Sequence, residues 1–179
     1  MDRRSLGGRL AVAGRNLANF AGAVAGFALP DARLTPGAVG TERSAPAPLV
    51  QVCTRGYARA ARHPYDAEWR RYRTAIFRAY GIPHVAWRNY TIDHLVPIEL
   101  DGRPFGVDAF GRFDLANVWP EPKAEARQKD AVEDALHAAV CYRRGYSGLH
   151  LRLETARAAI ARDWTRTPVG LPAPQSGSD

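Results

Sequence analysis

Between Tyr90 and Pro122 two short extended stretches bracket a glycine-punctuated excursion, and a polar helix follows at once. Tyr90-Thr-Ile-Asp-His-Leu-Val-Pro-Ile-Glu-Leu100 begins β-branched and aromatic and then meets Pro97, so it predicts a short strand bent at an edge. Asp101-Gly102 is a turn signal, and the insert behind it runs through Gly111. Phe113-Asp-Leu-Ala-Asn-Val-Trp-Pro-Glu-Pro122 returns as a loop or second short strand and leads into a helix. The order constrains the fold: a strand carrying Asp93 and His94, a return limb carrying Asn117, and a helix start close behind.

Periodicity supplies the frame around this region. Trp69, Tyr72, Ile76 and Tyr80 recur at helical spacing behind Asp66 as N-cap, which predicts a helix over 66–80, ended by Gly81-Ile-Pro83. A second helix is expected over about 123–142, with Val132, Leu136 and Val140 on its apolar face. A third is expected over about 149–164, with Leu153, Ala156, Ile160 and Trp164 facing inward. The chain has 179 residues, 46% of them apolar, enough for one core of real size.

The ends read differently. Met1 to Arg15 carries four arginines, and the short apolar run Leu17 to Leu29 contains the small-x-small exit Gly26-Phe-Ala28, so residues 1–28 are expected to be a secretory leader. The run is too short for a stable bilayer anchor, so no stable membrane insertion is expected. Secretion or the cell envelope follows as the expected location, with a cytoplasmic protein as the alternative. Residues 29–50, rich in Pro, Gly, Ala, Thr and Ser, predict an extended arm or linker, 51–165 the functional domain, and 166–179 a disordered tail.

Charge and cysteine count narrow the function classes. A formal charge of +7 favours an anionic partner such as nucleic acid or a membrane surface. Only Lys123 and Lys129 among the 25 Lys+Arg are lysines; that arginine bias suits phosphate contacts but equally reflects a GC-rich coding genome. Cys53 and Cys141 exclude a four-thiolate zinc site and a Cys-x-x-Cys redox motif, leaving one disulfide or two buried thiols. With an export signal, a Cys53–Cys141 bridge is the expectation, and two reduced thiols are the cytosolic alternative.

Phosphodiester hydrolysis needs a water, a base to take its proton, and a cation to neutralise the phosphate and leaving oxygen. Asp93 is a hard oxygen ligand for such a cation, His94 a base, and Asn117 an amide able to brace the loop or the imidazole. Taken singly, each residue has a plainer reading: Asp93 as a turn cap, His94 as a half-buried strand residue, Asn117 as an Asx-turn.

Taken together, Ile92-Asp-His-Leu-Val-Pro-Ile-Glu-Leu-Asp-Gly102, Leu115-Ala-Asn-Val-Trp-Pro-Glu-Pro122 and Gln128-Lys-Asp130 resemble the HNH (ββα-metal) endonucleases, in particular a bacterial group with Asp-His-Leu-x-Pro-x-Glu-Leu and Asn-x-Trp-Pro-Glu motifs. Leu34-Thr-Pro-Gly37, Val52-Cys-Thr-Arg-Gly56, His137-Ala-Ala-Val-Cys141 and Ala158-Ala-Ile-Ala-Arg-Asp-Trp164 extend the likeness over about residues 30–164. The resemblance implies an α+β fold, a small ββα-metal motif packed among flanking amphipathic helices. It implies Asp93 as metal ligand, His94 as the residue activating water, and Asn117 as the middle Asn. The third motif position falls on Glu125 or Ala126, which makes Glu125 the first candidate for a second metal ligand, ahead of Asn117 and Glu99. The divalent ion expected is Mg2+, with Mn2+ or Zn2+ as alternatives. Asp101 stands where the group has a first Gly, and the connection from Gly102 to Asp114 is longer than usual.

Two functions follow. One is a metal-dependent endonuclease acting on DNA, or on RNA. The other is a secreted basic domain that binds nucleic acid or another polyanion and keeps a weakened or inactive site.

Overall fold

The computed structural model describes residues 28–41, 45–63, 68–104, 106–107, 113–142 and 150–167. The leader through residue 27, the Asp66 cap, the middle of the glycine-punctuated insert and the tail from residue 168 lie outside them.

The architecture is α+β, a mixture of helices and small antiparallel sheets. In chain order come α1 (Leu49–Val52), α2 (Tyr57–Arg62), α3 (Glu68–Ala79), a 3-10 turn (His84–Asn89), β1 (Tyr90–His94), a second 3-10 turn (Ile98–Leu100), β2 (Gly106–Val107), β3 (Phe113–Asp114), β4 (Val118–Pro122), α4 (Ala126–Cys141), α5 (Leu153–Asp163) and a last 3-10 turn (Trp164–Arg166). No helix among the described residues is long and apolar enough to cross a membrane.

β1 pairs antiparallel with β4, Ile92 opposite Pro120 and His94 opposite Val118, while β2 and β3 form a separate ribbon. Pro120 and Pro122 have no N–H to give, so both must occupy positions that turn away from β1. Val118, of the same parity, does so: its N–H goes to the Leu115 carbonyl at 3.1 Å. The parity that tolerates the prolines thereby fixes the faces, placing Asp93, Trp119, Thr91 and Glu121 on one side of the pair and His94 on the other.

The helices lie on that pair through the stripes their periodicity marks. Phe77 from α3 and Tyr80 just after it, Leu136 and Val140 from α4, and Leu153, Ala156, Ile160 and Trp164 are buried in one cluster with Trp119, Leu95, Val96 and Leu100, and Ile76 of α3 is fully buried too. Burying each large apolar side chain stabilises the fold by about 1.5–3 kcal/mol. Val132 is only partly buried, and Tyr72 stacks on Phe113 with ring centroids 5.1 Å apart.

The described residues between 29 and 48 form no helix or regular strand, yet they are laced into the core. Thr35 is fully buried, its hydroxyl meeting the Tyr80 hydroxyl and the carbonyls of Leu115 and Val118. Gly37 and Ala38 both donate to the Ala116 carbonyl at 2.9 Å. Gly37 has φ +88° and a Cβ there would come 2.7 Å from that of Ala161, so this contact requires glycine. Cys53 and Cys141 stand at disulfide distance, their Cα atoms 5.4 Å apart and 88 residues apart in sequence. A bridge closing a loop of that length stabilises by about 4–5 kcal/mol in the chain-entropy treatment.

Candidate active site

β1 ends in Asp93 and His94, and because neighbours on a strand point oppositely, the two side chains leave it in different directions. Both nevertheless line one cleft of about 550 Å³, together with Glu99, Glu133 and the two α2 arginines Arg59 and Arg62.

His94 is buried, and its Nε2 makes a very short contact with the Pro104 carbonyl oxygen. A ring nitrogen facing a carbonyl must carry the proton, so the neutral imidazole has its lone pair on Nδ1. Burial pushes the His94 pKa down, against the opposing pull of Asp93 and the Pro104 carbonyl. The ring is therefore held as a neutral base.

Asn117 positions the loop that presents this histidine. Its Oδ1 accepts from the Val96 N–H at 2.9 Å, and its Nδ2 donates to the carbonyls of Val96 (2.9 Å) and Arg103 (3.1 Å). Both ends of the amide are thus used on backbone, at a side chain only 1% exposed. Gly102 lies under it: a Cβ there would fall 1.8 Å from the Val96 oxygen and 2.8 Å from the Asn117 Nδ2. Asp101 adopts φ 64°, a left-handed conformation that Asp tolerates better than most residues. Its carboxylate turns inward and accepts from the Tyr57 hydroxyl, the Ala47 N–H (2.8 Å) and Arg157 Nη2 (3.1 Å).

The residue that α4 brings to Asp93 is Lys129. Its ammonium, fully buried, donates to Asp93 Oδ2 at 2.6 Å, to the His94 carbonyl at 2.7 Å and to Glu133 Oε1. All three of its hydrogens are used. Glu125, the candidate one turn earlier, sits at the N-cap of α4 and accepts the Ala28 N–H at 2.7 Å through Oε2. The Gln128-Lys-Asp130 segment of the resemblance contains this lysine but assigns it no role; on a polar helix face it reads as solvated, and its burial comes with the contacts to Asp93 and His94 of β1.

Glu121 completes the cluster. It is 1% exposed, and its Oε1 has no hydrogen-bond partner. One ammonium cannot neutralise Asp93, Glu121 and Glu133 together. Burial and the Asp93 charge push Glu121 up to about 8, and burial raises Glu133 as well although Lys129 and its hydrogen bond pull the other way. Of the two, Glu121 is the better placed to hold a proton, because Lys129 bonds Glu133 directly. A carboxyl that binds its proton more tightly folded than unfolded makes stability fall as pH rises, here between about 4.5 and 8. Glu121→Gln removes that dependence, so its urea midpoint should gain on that of the parent from pH 5 to pH 8. Parallel pH curves for the two proteins would contradict a protonated Glu121.

The donor chemistry here is hard oxygen. Asp93, 29% exposed on its side chain, and Glu133, 17%, border the cleft beside a partly orphaned buried carboxyl. Among the described residues no three His, Cys, Asp or Glu side chains converge as a ready cage. Hard carboxylate oxygens are the donor type that Mg2+ or Mn2+ takes, with water and substrate phosphate filling the rest of the shell; here Lys129 already engages Asp93 Oδ2 and Glu133 Oε1. No protein-family model, no curated protein and no solved structure matches the chain.

Proposed function

We propose that the protein is a metal-dependent HNH endonuclease that hydrolyses phosphodiester bonds of DNA, or of RNA, with β1, β4 and α4 acting as its ββα-metal motif. The observation that carries the reading is His94, a buried neutral imidazole fastened to the Pro104 carbonyl through Nε2, at a cleft it shares with Asp93 and two arginines.

His94 accepts a proton from water at Nδ1 as the water oxygen forms its bond to phosphorus and the P–O ester bond breaks. Asn117 is a positioning residue: by clamping Val96 and Arg103 it fixes the loop from which the Pro104 carbonyl orients the imidazole. Lys129 holds one oxygen of Asp93, which orients that carboxylate in the cleft. Asp93, with Glu133 beside it, would hold the divalent ion, which when bound neutralises charge on the phosphate and the leaving oxygen.

Supercoiled plasmid incubated with the protein and Mg2+ or Mn2+ should be nicked and then linearised, and EDTA should abolish the reaction. The Lys129 ion pair with Asp93 is the observation that favours the other reading, a binding domain with an inactive site. Plasmid retardation without cleavage under every divalent ion would establish that reading instead.

A further inference from the structure

Helix α2 has six residues and buries none of them. A helix that short is not stable by itself, yet this one is fastened at several points. Just before it, Cys53 stands at disulfide distance from Cys141 of α4. From its first turn the Tyr57 hydroxyl donates to Asp101, which Arg157 holds from α5. Those ties fix α2 against the loop that follows His94, and the face it turns to the cleft presents Arg59 and Arg62. Residues three apart lie on one helix face. Both are exposed, and Arg62 is near enough for its charge to act on His94.

A packing helix would place apolar residues on that face. A solvated one would need no such anchoring. We propose that α2 is a phosphate-binding wall: Arg59 and Arg62 hold the backbone phosphates flanking the one that His94 attacks, and so supply affinity for a nucleic-acid strand without reading its bases. Guanidinium groups suit this task because they bind phosphate oxygens in bidentate fashion and remain charged throughout the working pH range. The inference rests on the nuclease reading of the cleft.

Binding of a fluorescent oligonucleotide duplex to His94→Ala protein in EDTA, followed by anisotropy between about 50 and 200 mM salt, separates the two ideas. Each phosphate contact contributes about 0.9 to the slope of log affinity against log salt. Arg59→Gln with Arg62→Gln should therefore flatten the slope by about 2 and weaken binding by about tenfold at the lower salt. Arg59→Lys with Arg62→Lys should keep most of the slope. Arg33→Gln with Arg166→Gln removes the same formal charge from exposed sites away from the cleft, and should leave the slope where it was. In protein that retains His94, the glutamine pair should raise KM more than it lowers kcat. An unchanged slope in that pair, an equal loss in the Arg33/Arg166 control, or no binding by the His94→Ala parent overturns the wall. Failure of His94-containing protein to cut, with the slope behaviour intact, overturns the nuclease reading alone.

Discussion

His94→Ala should lower phosphodiester cleavage by about 10²- to 10⁴-fold while leaving the protein folded, because that is the range over which a positioned general base acts. The size of the effect follows from the constraint on the ring. Nε2 is committed to the Pro104 carbonyl, so the tautomer with its lone pair on Nδ1 is set before substrate arrives, and burial keeps it neutral. A free imidazole in solution is half protonated near pH 6.5. With its pKa pushed below that value, His94 remains a base in more acidic solution, and the acid limb of kcat/KM should lie below pH 6.5. Steady-state cleavage of one defined duplex from pH 5 to 8 measures both quantities. A folded His94→Ala protein that nicks within tenfold of the parent would remove this residue from the mechanism.

The helices were readable in the sequence because each buries a stripe whose spacing is local. Ile76 and Tyr80, Leu136 and Val140, and Leu153, Ala156, Ile160 and Trp164 all face the core as their periods predict. What periodicity misses is burial imposed from a distance. Thr35 stands in a Pro- and Gly-rich stretch with no apolar period, and it is enclosed only because Leu115, Val118 and Tyr80 offer partners for its hydroxyl. Glu121, between two prolines on a limb that reads as a loop or second short strand, carries no apolar signal, yet opposite Thr91 it is buried within reach of the Lys129 and Glu133 charges.

The site divides the same way. Asp93 and His94 are adjacent in sequence, and the bend after β1 keeps them on one cleft. Asn117 is 21 residues from Val96, yet the β1–β4 register, continued by the Leu95 N–H to Asn117 carbonyl bond, brings its amide there. Lys129 lies in the Gln128-Lys-Asp130 segment of the resemblance, but its contact with Asp93 is not legible there; Arg59 and Arg62 belong to the site through tertiary packing alone, and no local pattern distinguishes them from the other arginines of the chain.

Lys129 should accordingly be a position at which substitution costs several kcal/mol, about 3–5, of stability. Its ammonium has no exposure, and it joins Asp93, Glu133 and the His94 carbonyl. Burial disfavours its charge, but Asp93 and Glu133 outweigh that and hold its pKa above the ordinary lysine value. Replacing both sides of such an ion pair by apolar groups can be nearly neutral, whereas deleting one side strands the other in a medium of low dielectric at about 3–5 kcal/mol. Lys129→Met fills most of the same volume and deletes one side, leaving Asp93, Glu121 and Glu133 as a purely acidic cluster. Their mutual repulsion is relieved when they take up protons, so the loss should be about 3–5 kcal/mol at pH 8 and distinctly smaller at pH 5. In a chain of this size that corresponds to a fall in Tm of roughly 10 °C at the higher pH. Paired thermal melts of parent and Lys129→Met at the two pH values decide it. Should the variant melt within 2 °C of the parent at pH 8, the carboxylates of the cleft do not depend on Lys129 for their charge balance. A large loss of equal size at both pH values would instead trace the cost to packing around the lysine stem, since a lost methylene contact does not titrate.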